Sequence, residues 1–364
     1  MYTYYKMFDF LDTWLSNGGW IVPILLIIVG CIALVKGADW LVDGASGLAK
    51  KYGVSDIVIG LTVVAFGTSM PEFVVNMVAV GQGSTEIAIT NVLGSNIINT
   101  FVILGVTALV YPIVSQKSTR NFELPFSMLA ALLVLLFAVY NSPSWLQVEH
   151  LFDMNVSSPT IQDLGSIQMG QGNNSFISGI GGSILLLFFI IFLWHSFKIS
   201  LSADTISDKS GHPMSARRAL ALIIGGLIGL VVGGEVIVKS ATSIAHALGV
   251  SDAIIGLTVV ALGTSLPELA TSCVAASKKN CDIALGNVVG SNIFNIFFIL
   301  GTSACIMPLP GYHGLEVDAI MAALGSMLVM MFVYLTKKHE IKRWHGATLL
   351  LTYSAYLAYR IITL

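Results

Sequence analysis

Residues 56–100 read DIVIGLTVVAFGTSMPEFVVNMVAVGQGSTEIAITNVLGSNIINT, and residues 252–296 read DAIIGLTVVALGTSLPELATSCVAASKKNCDIALGNVVGSNIFNI. Aligned without a gap at a constant offset of 196, 24 of the 45 positions are identical, and GVSD at 53–56 returns at 249–252. A match of this length is a duplication, and apolar composition alone does not produce it.

The chain around the two blocks has 364 residues, of which 55% are hydrophobic and 10% charged, against roughly 25% charged for a soluble domain. Its mean hydropathy is +0.83. A soluble fold cannot hide that much apolar surface, so the bilayer is the expected solvent. A net charge of −2 gives no case for nucleic acid. Cys31, Cys273, Cys281 and Cys305 show no metal-ligand spacing and read as small hydrophobes.

A span needs about 20 mostly apolar residues. Ten candidates follow, near 21–46, 57–81, 86–111, 122–140, 178–197, 217–245, 253–276, 282–308, 316–335 and 344–362. Residues 1–20 lack the basic start and cleavage site of a signal peptide and read as an aromatic-rich interfacial segment. Two stretches are too polar to span: the loop 141–177 and the midpoint linker 198–216. With ten spans, one set of loops holds Lys50, Lys51, Lys117, Arg120, Lys198, Lys209, Arg217, Arg218, Lys278, Lys279, Lys337, Lys338, Lys342 and Arg343. The other set, 82–85, 141–177, 246–252 and 309–315, holds no Lys or Arg. By the positive-inside rule the linker is cytoplasmic and both termini lie outside.

Five spans separate equivalent points of the two blocks, so the second copy crosses in the opposite direction. The expected fold is an all-α polytopic membrane protein, about ten transmembrane helices arranged as two inverted five-helix repeats, 21–197 and 217–364. Inverted repeats with a binding site at their midplane interface recur among transporters.

Each copy carries Gly-Thr-Ser-x-Pro-Glu within an apolar span, at 67–72 and 263–268. Proline removes a backbone donor and frees carbonyl oxygens nearby. A carboxylate, Glu72 or Glu268, follows at once, and intramembrane carboxylates are costly enough to imply function. Thr68 and Thr264 stand one turn earlier and are expected to share a helix face with their own glutamates. Asn91, Ser95 and Asn99 form a second oxygen stripe, repeated by Asn287, Ser291 and Asn295. Such a donor set suits a hard cation, Ca²⁺ or several Na⁺, better than Mg²⁺ or a softer metal. Asn96 and Asn292 read as interhelical glue. Gly225, Gly229 and Gly233 form a small-residue face on the sixth span, with Ala33 and Gly37 at equivalent places on the first. Asp39, Asp43, Glu235 and Lys239 read as solvated or paired end charges.

The paired GTSxPE and GSNIxN blocks resemble the two α-repeats of sodium/calcium exchangers in the calcium/cation antiporter superfamily. The resemblance implies Na⁺/Ca²⁺ antiport by alternating access, with no cofactor and no enzymatic step, in a cell membrane and by a monomer. It implies that Glu72, Glu268, Thr68, Thr264, Ser69, Ser265, Ser95, Ser291 and the carbonyls of Ala65 and Ala261 bind the ions. It also implies a central role for Asn99 and Asn295. Asn295 departs from relatives that carry Asp there, including those that also move K⁺, and argues against K⁺ coupling. The alternative reading is H⁺-coupled or K⁺-dependent Ca²⁺ exchange; the proton-coupled branch reads GN where this chain reads GTSxPE.

Overall fold

In hydrocarbon a backbone amide has no water to bond, so apolar runs of span length form helices that satisfy their own polar groups. The computed structural model describes Leu15 and residues 19–140, 175–202, 214–249, 261–312 and 314–363. The expected interfacial segment lies almost wholly outside these residues, as do most of the 141–177 loop, most of the linker and the start of the seventh span.

The chain runs through α1 (Ile21–Tyr52), the bent pair α2 (Asp56–Thr68) and α3 (Met70–Gly81), α4 (Thr85–Val110), α5 (Thr119–Val139) and α6 (Gly179–Lys198). After the linker come α7 (Ala216–Ala247), the short α8 (Ala261–Thr264), α9 (Leu266–Ser277), α10 (Cys281–Ile306), α11 (Leu315–Leu335) and α12 (Arg343–Thr363). Among the described residues, seven helices are long and apolar enough to cross a membrane, or eight with α2 and α3 taken as one bent span. Of the other two expected spans, 253–276 begins in undescribed residues, and α12 carries Tyr353, Tyr356, Tyr359 and Arg360 and is less apolar.

Burial sorts the helices into centre and rim. In its most apolar window α10 is 94% buried and α4 78%, against 28% for α1 and 33% for α7. The rim helices turn large apolar side chains outward, among them Leu25, Val29 and Ile32 on α1 and Ile224 and Ile228 on α7, as lipid contact requires.

α1 and α7 pack antiparallel, backbone against backbone. A Cβ on Gly37 would lie 2.8 Å from the Gly226 carbonyl oxygen, and one on Gly233 would lie 2.8 Å from that of Gly30. A Cβ on Gly44 would meet the Ala219 oxygen at 2.7 Å. Small residues at sevenfold spacing, 30, 37 and 44 against 233, 226 and 219, therefore form the seam. The contact maps onto itself under the 196-residue offset, because Gly30 is equivalent to Gly226 and Gly37 to Gly233. The expected face is thus right in Gly229, Gly233, Ala33 and Gly37 but not in Gly225, whose nearest neighbour is the Trp40 ring at 3.7 Å. Helical periodicity names a stripe; the partner helix decides which edge of it is closest.

Two small clasps close the ends of the bundle. β1 (Ile113–Val114), after α4, pairs antiparallel with β4 (Glu340–Ile341), before α12. β2 (Ser175–Ile177), before α6, pairs with β3 (Leu309–Pro310), after α10. The end of the polar 141–177 loop is thus a strand tied to the other half of the chain.

Candidate ion-binding site

The glutamates are placed by two helix breaks. Ser69 (φ −84°, ψ 8°) and Ser265 (φ −93°, ψ 6°) leave helical geometry for the bridge region. The chain restarts at Met70 and Leu266 with a proline next, where a missing N–H costs least. α2 and α3 meet at 47° across the break. Glu72 and Glu268 fall in the first turns of α3 and α9, where the helix dipole favours negative charge. Each is 1% exposed.

The breaks send the hydroxyls across the molecule. Ser69 Oγ donates to Glu268 Oε1 at 2.9 Å, and Ser265 Oγ donates to Glu72 Oε1 at 3.3 Å. Thr68 bonds Asn287 Oδ1 at 3.0 Å and also reaches Glu268, while Thr264 reaches Glu72. The expectation that each threonine shares a face with its own glutamate is therefore corrected, because the bend at the serine turns the two apart. Each glutamate is met by the Thr-Ser pair of the other block.

The second stripe also serves its own block. Ser95 Oγ lies 3.5 Å from Glu72 Oε1, and Ser291 Oγ 3.5 Å from Glu268 Oε1. Asn91 Nδ2 donates to the Glu72 backbone carbonyl at 3.2 Å, and Asn287 Nδ2 to that of Glu268 at 3.2 Å. The same amides bond Asn76 Oδ1 at 2.6 Å and Ser272 Oγ at 2.9 Å. Asn76 and Ser272 were not singled out in the sequence, although each follows its glutamate by four residues and so shares its face. Asn96 and Asn292 link α4 to α10 and to each other, as glue residues do: Asn96 Nδ2 donates to the Asn292 carbonyl at 3.1 Å.

The carbonyl of Ala65 is not stripped by the proline. It accepts the Ser69 amide at 3.0 Å and the Thr68 hydroxyl at 3.3 Å. The carbonyl that Pro71 cannot serve is that of Gly67, four residues earlier, and Pro267 stands in the same relation to Gly263. Ala261 opens α8.

Asn99 begins the wide π-turn Asn99–Ile103 in α4, and Asn295 lies in the π-turn Phe294–Leu300 of α10. Such turns gather at functional positions. Four buried side-chain oxygens here have no hydrogen-bond partner among the described residues: Glu72 Oε2, Glu268 Oε2, Asn99 Oδ1 and Asn295 Oδ1. Unsatisfied buried acceptors are costly, and two carboxylates with two amide oxygens are the donors a hard cation takes. The carboxylates lie near enough to feel one another's charge, a repulsion that a shared cation removes.

The two sides of this group differ. A cavity of about 290 Å³ lies between α7 and the breaks, lined by Met70, Pro71, Glu235, Gly263, Thr264 and Pro267. On the side of the α9–α10 turn, Lys278 Nζ bridges Asp39 (2.6 Å) and Asp43 (2.7 Å) on α1. Burial alone would lower the Lys278 ammonium, but its hydrogen bonds and the charges of Asp39 and Asp43 hold it above its ordinary value. Asn280 adds bonds to Ser46 (3.2 Å) and Asp56 (2.6 Å). Asp39 and Asp43 are thus paired end charges, as their position suggests.

The chain is similar to known proteins over most of its length. The family model described as "Sodium/calcium exchanger protein" matches residues 22–198 and 218–362. The chain is 33% identical over 357 residues to the sodium/calcium exchanger MaX1 of Methanosarcina acetivorans, covering 92% of this chain and 97% of that protein. It is 34% identical over 326 residues to an uncharacterized membrane protein of Methanocaldococcus jannaschii, covering 90% and 94%. Among solved structures it is similar to the sodium-calcium exchanger NCX_Mj soaked with zero Na⁺ and Ca²⁺. That match has a TM-score of 0.72 and 33% identity and covers 92% of this chain and 98% of that one.

Proposed function

The chain belongs to the sodium/calcium exchanger protein family, and on that premise we propose that it exchanges Na⁺ for Ca²⁺ by alternating access at one midplane site. It is a multi-pass membrane transporter and not an enzyme. The carrying observation is the crossed pairing of Ser69 with Glu268 and Ser265 with Glu72, beside four bare oxygens from both halves of the chain. A site assembled from two inverted halves can be served equally from either side. In this reading Glu72 and Glu268 are the charged ligands. Thr68, Thr264, Ser69, Ser265, Ser95, Ser291, Asn99, Asn295 and the carbonyls of Ala65 and Ala261 complete the positions that Ca²⁺ and Na⁺ share.

The two halves are 21–197 and 217–364, five spans each, joined by a cytoplasmic linker. Both termini lie outside the cell membrane, a reading supported by the segregation of Lys and Arg. In that orientation the 290 Å³ cavity is an external vestibule, and the Lys278 bridge closes the cytoplasmic side.

The test is ⁴⁵Ca²⁺ uptake into proteoliposomes loaded with Na⁺. Uptake is expected to need the outward Na⁺ gradient and to vanish in Glu72→Gln and in Glu268→Gln. Uptake driven by a pH gradient without Na⁺ assigns the coupling to protons, and uptake that ignores both substitutions overturns the site.

A further inference from the structure

We propose that Asn96 is a positioning residue that fixes which end of the Asn295 amide the transported cation meets. The inference rests on the exchange reading above, in which Asn295 is a ligand.

An asparagine side chain ends in an oxygen and an NH₂ group of nearly equal shape. At a cation site only the oxygen binds, so something must decide which end faces the ion. Asn295 Nδ2 donates to Asn96 Oδ1 at 3.0 Å, and Asn96 Nδ2 donates to the backbone carbonyl of Asn292 at 3.1 Å. The direction of this chain is forced from its far end. A backbone carbonyl can only accept, which commits the NH₂ of Asn96 to Asn292 and its oxygen to Asn295. The NH₂ of Asn295 is then committed to Asn96. Its Oδ1 is what remains, and it is buried with no hydrogen-bond partner.

The surroundings hold that order. Asn96 is 3% exposed and Asn295 fully buried, so water cannot replace a lost bond. Reversing Asn295 would set two amide oxygens against each other in a dry interior, where unpaired polar groups are heavily penalised. Asn295 follows Ser291 by four residues on α10, and Ser291 is directed at Glu268, so the bare oxygen shares the face that carries the site.

The lock is one-sided. Asn292 occupies the place in the second block that Asn96 holds in the first. Its Nδ2 turns instead to Thr100 Oγ1 at 2.8 Å, and its Oδ1 is left without a partner among the described residues. Asn292 therefore gives Asn99 no acceptor of the kind Asn96 gives Asn295. This difference supplies an internal control.

The experiment is Na⁺-driven ⁴⁵Ca²⁺ uptake in proteoliposomes, with half-saturating Ca²⁺ separated from maximal rate. Asn96→Ala is expected to raise half-saturating Ca²⁺ roughly tenfold, as loss of a partner that orients a metal ligand does, with a smaller change in maximal rate. In its protonated form Asn96→Asp gives Asn295 an oxygen and the Asn292 carbonyl a hydroxyl, and so recovers most of that loss. Asn292→Ala moves the value less than Asn96→Ala does. In an Asn295→Ala background, Asn96→Ala adds nothing further. Should Asn96→Ala lose the fold by size exclusion and melting, Asn96→Ser supplies the comparison. Its hydroxyl can donate to the Asn292 carbonyl but is too short to serve Asn295.

Equal weakening by Asn96→Ala and Asn292→Ala overturns the proposal, as does an effect that persists undiminished beside Asn295→Ala. Wild-type protein without Na⁺-dependent uptake would defeat the exchange reading instead, so the two failures are told apart.

Discussion

Ser69 bonds Glu268, a residue 199 positions away in the other block, and leaves its neighbour Glu72 to Ser265. Each carboxylate is therefore shaped in part by the half of the chain that does not contain it. A hydrogen bond to a charged group contributes about 1.5–3 kcal/mol. Ser69→Ala and Ser265→Ala are each expected to weaken apparent Ca²⁺ affinity by roughly tenfold on that basis. Titrating uptake against Ca²⁺ checks this, and a loss confined to one of the two would break the equivalence.

The seam between α1 and α7 predicts different outcomes for two glycines. In Gly37→Ala the new methyl meets the Gly226 oxygen and the Leu230 nitrogen, both at 2.8 Å and both backbone. Overpacking of that kind costs about 1–3 kcal/mol, so the melting temperature in detergent falls. Gly225→Ala points toward Trp40 at 3.7 Å and leaves it unchanged.

Lys278 is a tether with modest strength. Its side chain is 31% exposed, and pairs with that access to water contribute about 0.2–1 kcal/mol. Lys278→Gln is expected to shift half-saturating Ca²⁺ by roughly two- to fivefold on one membrane face and less on the other. Uptake compared between the two orientations of reconstituted protein reads this out. An equal shift on both faces counts against a role in closing one side.

Asp318 ties α11 to α12. It accepts from Tyr312 at 2.6 Å and Tyr356 at 2.8 Å and pairs with Arg360 at 3.6 Å. Removing one charge of a buried pair costs about 3–5 kcal/mol, so Asp318→Asn lowers the melting temperature while transport per folded molecule persists.

The same cluster gives a pH dependence. Burial, then the charge of Asp318, holds the Tyr312 hydroxyl well above its ordinary value. A group raised on folding lends stability that is complete below its unfolded value and is lost as pH rises through the folded one. Melting temperature is therefore flat through neutral pH and falls in alkali, and Tyr312→Phe reduces that alkaline fall.

Much of this was legible in the sequence because it is carried by local chemistry. The apolar runs mark the helices, the 196-residue offset marks equivalent positions, and a glutamate after proline within a span marks a site. What was not legible is what each residue faces once the chain has bent. The break at Ser69 is implied by Pro71, but its angle is not, so helical spacing points Thr68 toward Glu72 although it crosses to Asn287. Asn76 carries no signal of its own in the sequence, because its partner, Asn91, lies on another helix. Pairing across helices is a property of packing, and periodicity does not contain it.

The seam of α1 and α7 has one more consequence. Where side chains interlock, a joint can yield by rotamer changes; where backbones touch, nothing short of moving a whole helix relieves a push. Gly37 meets its partner wholly in this second way, and Gly30 and Gly44 do so beside the side chains of Ile237 and Ile223. Two helices of 32 residues each are thereby laminated into one stiff beam. A load applied at one end, such as release of the Lys278 tether from Asp39 and Asp43, reaches the neighbouring helix without being absorbed along the way.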